Sequence, residues 1–260
     1  MRVKDIAVTQ PYTSIGRFAG LPFWAGGLTL LAAAPGVGKT SWLLRAVADA
    51  AARGIPSALA CYEHTAEELR FRLEAQARAA VGGAHGQAAE SEVQAQLSRW
   101  GEASIVPLRA EDSLSLLETL LIEDEGLPAH GPALVAVDYL QNIPVMGLTS
   151  LLPEAQAAPA AAAGLRELAR RHGWAVVAAS ALKASAFHGS DRGLDSLLGS
   201  DRLTYHADRV YLIERSEVLP CGCSQLAAHT LKDRTDTLRD FAFAFWGARF
   251  YPAVDGEAHG

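Results

Sequence analysis

Eight residues near the start of the chain, Ala33-x-x-x-x-Gly38-Lys39-Thr40, have the types and spacing that hold a phosphate. Ala33 stands in the first glycine position of that loop pattern. Gly36 and Gly38 leave the backbone free to turn several N–H groups toward one anion. A helix beginning at the loop would present its positive end to the same charge. Lys39 suits contact with β- and γ-phosphates, and the Thr40 hydroxyl suits Mg²⁺. Nucleotide contact is therefore expected along Ala34, Pro35, Gly36, Val37, Gly38, Lys39, Thr40 and Ser41. The bland alternative is a glycine-containing turn followed by a chance Lys-Thr pair.

Two carboxylates extend the pattern. Asp138 ends the apolar run Ala133–Val137, where a carboxylate can bind Mg²⁺ directly or through water. Glu63 ends a second strand, and in open α/β sheets ligands sit beyond the carboxyl ends of strands. Lys39, Glu63 and Asp138 are therefore expected to converge. Glu63 is then a candidate base that orients water for attack on a γ-phosphate. Its alternative reading is a surface carboxylate at a helix entrance.

The elements that position these residues alternate between strand and helix, as in a largely parallel sheet. A strand at Leu28–Ala33 precedes the loop, and a helix from about Lys39 to Ala52 follows it and stops at Gly54. A strand over Ser57–Tyr62 leads to Glu63. Thr65-Ala66-Glu67-Glu68 then forms a capping box for a helix through about Ala80. Gly82, Gly83 and Gly86 interrupt the chain before a helix at about Ala88–Trp100 and a strand at Ser104–Pro107. Asp112-Ser113 is expected to cap a helix ending near Glu125. Ala133–Val137 and Ala175–Ser180 read as strands buried on both faces. Strands at about Arg209–Ile213 and Ala227–Lys232 flank Cys221-Gly-Cys223. A last strand, Phe241–Phe250, alternates phenylalanine with alanine at first. Residues 143–160 and 184–204 are expected to be the least regular.

Composition narrows the classes. The chain has 260 residues, half of them apolar, and a net charge of −6, which argues against a surface basic all over. A local basic lining remains compatible with nucleic acid. Three cysteines without framework spacing point to a reducing compartment. Cys221-Gly-Cys223 reads as a hairpin turn or as half of a metal site. No apolar run resembles a signal peptide or a membrane span, so the expectation is a cytoplasmic protein with no membrane partner.

Several segments together resemble the ATPase domain of the DnaB-type replicative helicases. They are Cys61-Tyr-Glu-His-Thr-Ala-Glu-Glu-Leu-Arg70, Val137-Asp-Tyr-Leu-Gln141, Leu165-Arg-Glu-Leu-Ala-Arg170, His206-Ala-Asp-Arg-Val-Tyr-Leu-Ile213 and Leu231-Lys-Asp-Arg234, with the Phe-rich last strand. The resemblance covers roughly Thr13 to Pro252. It implies an α/β RecA-like P-loop NTPase fold, with a mostly parallel central sheet flanked by helices and antiparallel C-terminal strands. It implies ATP and Mg²⁺ as cofactors, and a homo-oligomeric ring, usually a hexamer, with ATP between subunits. Glu63 matches the catalytic glutamate and Asp138 the magnesium-associated aspartate. Lys232 and Arg234 match the pair that reaches into a neighbour's site. By residue type alone, Lys232-Asp233-Arg234 reads as a solvated turn. Single-stranded DNA is the implied partner, in replication, recombination or repair, beside a protein partner that the resemblance does not identify.

Three departures from that family shape the expectations. Only about 27 residues precede the first core strand, so a large N-terminal helical domain is not expected. Residues 1–20 would be an arm and residues 21–255 the ATPase domain. Ala181 stands where the family usually has a glutamine thought to sense nucleotide. Residues 142–165, one of two expected DNA-facing regions, contain no Lys or Arg. The other region offers Lys183, Arg192 and Arg202 as candidate phosphate contacts. These departures keep open a RecA-like regulatory or signalling ATPase, or a partner-binding scaffold, without DNA translocation.

Overall fold

A computed structural model of the chain describes residues 13–82, 88–101, 103–145, 154–187, 192–218, 223–235 and 238–253. β1 (Ser14–Phe18) and β2 (Leu21–Trp24) form a hairpin whose Phe18, Leu21 and Phe23 are buried. β3 (Leu28–Ala32) enters the phosphate loop, and α1 (Lys39–Ala51) leaves it. Gly54, at φ +72°, lets the chain reverse after α1, and Ile55 N–H returns to the Ala50 carbonyl. β4 (Ser57–Cys61) is followed by α2 (Ala66–Gly82), α3 (Glu90–Trp100) and β5 (Ala103–Pro107). The expected capping box forms. Thr65 N–H donates to Glu68 Oε2 at 2.9 Å, and Glu68 N–H to Thr65 Oγ1 at 3.2 Å.

Ser113, rather than Asp112, caps α4 (Leu114–Thr119), accepting from Leu116 N–H. Asp112 accepts from Arg109 N–H instead. The helix widens into a π turn at Leu120–Asp124 before β6 (Leu134–Asp138). α5 (Glu154–His172) carries Pro159 within it, so residues 154–160, at the end of the first stretch expected to be irregular, are helical. β7 (Ala175–Ser180) and α6 (Ser200–His206) lead to β8 (Arg209–Val218) and β9 (Ser224–Asp233), both longer than expected. The expected final strand is two strands, β10 (Phe241–Trp246) and β11 (Tyr251–Ala253), separated by a 3₁₀ turn at Gly247–Arg249. Gly83, Gly86 and the Cys221-Gly222 part of the cysteine turn lie outside the described residues.

The sheet runs β11-β10-β9-β8-β3-β7-β6-β4-β5. The six strands from β8 to β5 are mutually parallel, and the β8–β9, β9–β10 and β10–β11 pairs are antiparallel. This is the mostly parallel sheet with antiparallel C-terminal strands that the resemblance implies. Neighbouring residues of each inner strand feed opposite faces. Leu30, Ala60, Val137 and Ala178 join one core cluster, while Leu31, Leu59, Ala136 and Val177 join the other. Two-sided burial is the physical reason these strands read as unbroken apolar runs. Because the strands are parallel, β3, β4, β6 and β7 all end on one edge, where the phosphate loop lies. Among the described residues, no helix is long and apolar enough to cross a membrane.

Candidate functional site

The phosphate loop is shaped by its two glycines. Gly36 has φ +76° and Gly38 φ +112°, both in the region that side chains disfavour. Gly38 also lies against the Phe245 ring, so closely that a Cβ there would stand 2.8 Å from Cζ. Gly38 precedes α1, and its carbonyl accepts the helix's Trp42 N–H at 2.9 Å. Lys39 folds back over the loop, its Nζ donating to the Ala33 carbonyl at 3.0 Å and the Ala34 carbonyl at 3.3 Å. Burial lowers its pKa, against the opposing pull of the Asp138 and Glu63 carboxylates.

Thr40 and Asp138 meet directly, Thr40 Oγ1 donating to Asp138 Oδ2 at 2.7 Å. Asp138 is 1% exposed. Burial pushes its carboxyl pKa upward, the Thr40 hydrogen bond pulls it down, and Glu63 pushes it up again. The ends of β4 and β6 are pinned side by side by a 2.7 Å bond from Tyr62 N–H to the Asp138 carbonyl. Glu63 is exposed on the turn after β4. Potential ligand atoms of Glu63, His64 and Asp138 all lie within 4.8 Å of one another. Cys61 Sγ lies 3.8 Å from Asp138 Oδ2. Its thiol is pushed up to about 12, first by burial and then by Asp138.

These groups surround a cavity of about 500 Å³. Lys39, Thr40 and Glu63 line it, with His64, Arg72 and Phe250. Of the expected nucleotide contacts, Pro35, Gly36, Gly38 and Ser41 also line it. Ala34 and Val37 instead pack against the two core clusters. Asp138 sits behind Thr40 rather than on the cavity wall.

Sequence reasoning did not single out His64, Arg72, Arg215, Phe245 or Phe250. His64 was legible as the neighbour of Glu63. Arg215, whose Nη2 reaches toward the Gly36 carbonyl at 3.5 Å, lies two residues past the expected end of its strand. Phe250 stacks edge-on with Phe71, and the Arg72 guanidinium lies 5.0 Å from its ring centroid. Only the turn that splits β10 from β11 places Phe250 here.

Lys232 and Arg234 are elsewhere. β9 runs antiparallel to β8, which runs parallel to β3, so the end of β9 lies level with the start of β3. Lys232 Nζ donates to the Thr204 carbonyl and, at 2.8 Å, to the Ala207 carbonyl. Arg234 bonds the Tyr205 carbonyl at 2.8 Å and Asp208 at 3.3 Å. Neither reaches the cavity of its own chain. Among the candidate phosphate contacts, Lys183 is half-buried and Arg202 exposed. Arg192 is engaged with the Ala186 and Phe187 carbonyls and with Glu214. Gln141, which follows the strand carrying Asp138, accepts from Ala181 N–H at 3.1 Å. It donates to Ser180 Oγ at 3.1 Å and the Leu198 carbonyl at 3.3 Å.

A family model described as the DnaB-like helicase C terminal domain matches residues 18–248. Among solved structures, the chain superposes on one described as an ATPase domain with a TM-score of 0.72 at 19% identity, over 88% of this chain and 84% of that one. It superposes on a DnaB-like replicative helicase, described with its interactions with primase, with a TM-score of 0.73 at 18% identity. That match covers 88% of this chain and 57% of the helicase. At these identities the likeness concerns the fold. No curated protein matches the chain.

Proposed function

The chain belongs to the DnaB-like helicase C-terminal domain family, and from that premise we propose a Mg²⁺-dependent ATPase that assembles into a ring and acts on DNA. One observation carries the reading: the Thr40–Asp138 contact stands behind a cavity lined by Lys39 and Glu63. A hydroxyl and a carboxylate, both hard oxygen donors, suit Mg²⁺. When bound there, Mg²⁺ neutralises charge on the nucleotide's phosphates. Lys39 exchanges its loop carbonyls for β- and γ-phosphate oxygens. The loop's N–H groups and the start of α1 hold the anion. Glu63, exposed at the cavity, takes a proton from the attacking water. Phe250 and Arg72, whose guanidinium lies over the Phe250 ring, line the part of the cavity proposed for the base.

Lys232 and Arg234 lie at the other edge of the sheet from the cavity, which supports a role in a neighbouring subunit rather than their own. A hexameric ring suits that geometry. Residues 1–20 would serve as an arm and residues 21–255 as the ATPase domain. The buried Phe18 and Ala19 tie the end of that arm to the core. DNA, single-stranded in this reading, would meet the segment from Lys183 to Arg202, in replication, recombination or repair inside the cytoplasm. A further protein partner is also proposed.

The occupied guanidinium of Arg192 favours a second reading, a regulatory ATPase that hydrolyses ATP without moving along DNA. The deciding experiment is the ATPase rate of material of known oligomeric mass, with and without single- and double-stranded DNA. Stimulation by DNA supports the first reading. An unchanged rate, with no DNA binding at low salt in the presence of an ATP analogue, supports the second. Replacing Lys183, Arg192 and Arg202 together should reduce the salt dependence of DNA binding by about one unit of slope for each lost phosphate contact.

A further inference from the structure

His64 has no part in the phosphate chemistry, yet it stands at its centre. Its ligand atom lies within 4.8 Å of those of Glu63 and Asp138. Mg²⁺ takes oxygen ligands, whereas imidazole suits transition metals. A carboxylate also stands near the ring. Glu68 Oε2 stands 3.6 Å from His64 Nδ1, and Glu68 is itself fixed by Thr65 N–H and Oγ1. A carboxylate that accepts from one ring nitrogen is the usual outer partner of a histidine that ligates through the other, and a shift of Glu68 by under about 1 Å would bring it to hydrogen-bonding distance. His64 N–H donates to Cys61 Sγ at 3.4 Å, which fastens the turn to the end of β4.

We propose that Glu63, His64 and Asp138 form a site for a transition-metal dication of the Zn²⁺ class, filled in the absence of nucleotide. The inference deepens the nucleotide–metal reading of the same cavity and takes its location from it. Bonds of about 2.1 Å in a tetrahedral site place ligand atoms about 3.4 Å apart. The present spread of up to 4.8 Å closes as the exposed Glu63 and half-buried His64 side chains move toward the buried Asp138. Two carboxylates balance the charge of a dication, and solvent would complete its coordination from the cavity side, which Glu63 and His64 line.

The test uses the nucleotide-free full chain. Zn²⁺ binding and Mg²⁺ binding are followed in separate calorimetric titrations. The expected result is one Zn²⁺ per chain. His64→Ala should bind Zn²⁺ about tenfold more weakly or worse, with Mg²⁺ affinity unchanged. His64→Asn should behave alike, and thermal melting of both variants reports on their fold. Absence of Zn²⁺ binding to the parent chain overturns the proposal. So does an unchanged Zn²⁺ affinity in the variants, or a parallel loss of both ions in folded variants. No nucleotide is present, so the result is independent of the ATPase reading. That reading fails separately, if Lys39→Ala leaves ATP binding and hydrolysis intact.

Discussion

Thr40 Oγ1 and Asp138 Oδ2 are hydrogen-bonded at 2.7 Å, which joins the first turn of α1 to the end of β6 across 98 positions of sequence. The bond satisfies a carboxylate that is almost wholly buried. It also holds together the two oxygen donors assigned to Mg²⁺. Thr40→Ala should therefore cost stability, by about 1–3 kcal/mol for the buried group left without its partner. It should also remove Mg²⁺-dependent nucleotide affinity. Thr40→Ser should retain both. Urea denaturation and nucleotide titration with and without Mg²⁺ measure the two effects. A Thr40→Ala chain as stable as the parent contradicts the stabilising role given to the bond.

The two loop glycines should differ in their tolerance of alanine. A Cβ at Gly36 meets nothing within 4 Å, so only its φ of +76° opposes the change. That costs about 1–2 kcal/mol. At Gly38 the φ of +112° is compounded by Phe245 Cζ at 2.8 Å from the new carbon. Gly38→Ala should be the more destabilising substitution and should displace Phe245 from the cavity wall. Equal denaturation midpoints for the two variants would show that Phe245 yields freely.

Glu63→Gln should separate binding from chemistry. The amide keeps the side chain's size and its hydrogen-bonding capacity but cannot accept a proton as a base. Turnover should fall by about a hundredfold or more, with ATP affinity retained. The measurement is single-turnover hydrolysis beside equilibrium ATP binding. A near-normal rate in Glu63→Gln, beside a crippled Asp138→Asn, would move the base elsewhere.

Lys232 titrates at about 8, lowered first by burial and then by the neighbouring Arg234. Raising the pH through 8 removes its charge, so turnover that depends on this cation should decline above that pH. Lys232→Arg should keep turnover level over the same range. Stability follows the opposite sign. The unfolded lysine stays protonated to about 10.5, so between 8 and 10.5 the unfolded chain binds more protons and folding gains with rising pH. A pH–rate profile on chains of constant oligomeric mass checks the first expectation. An identical alkaline limb in Lys232→Arg removes Lys232 from the chemistry.

Arg234 lies beyond reach of its own cavity, so hydrolysis that needs it must occur between chains. Arg234→Ala should lower hydrolysis far more than nucleotide affinity. Mixing it with Lys39→Ala chains, each inactive alone, should recover part of the activity through interfaces that carry one intact cavity and one intact Arg234. A monomer of full activity is the opposing outcome.

Local structure was legible in the sequence because it is made by contiguous residues. Ala33 to Thr40, the Thr65–Glu68 capping box and the stop at Gly54 each depend on backbone preference and on partners within a few positions. The apolar strands were legible because burial on both faces leaves no polar positions. The identity of the carboxylates at the strand ends came with them. Tertiary structure decided what stands beside what. Only the strand order β3-β7-β6-β4 brings Asp138 to Thr40, and only the pinned ends of β4 and β6 bring His64 to Asp138. The turn that divides the last strand sends Phe250 to the cavity. The reversal of β9 carries Lys232 and Arg234 away from it. Partner choice was equally hidden. Arg192 reads as a free cation in the sequence, yet in the fold Glu214 and two carbonyls compete for its guanidinium and hold it. Side chains that find such partners only through long-range strand pairing leave no periodic or spacing signal along the chain.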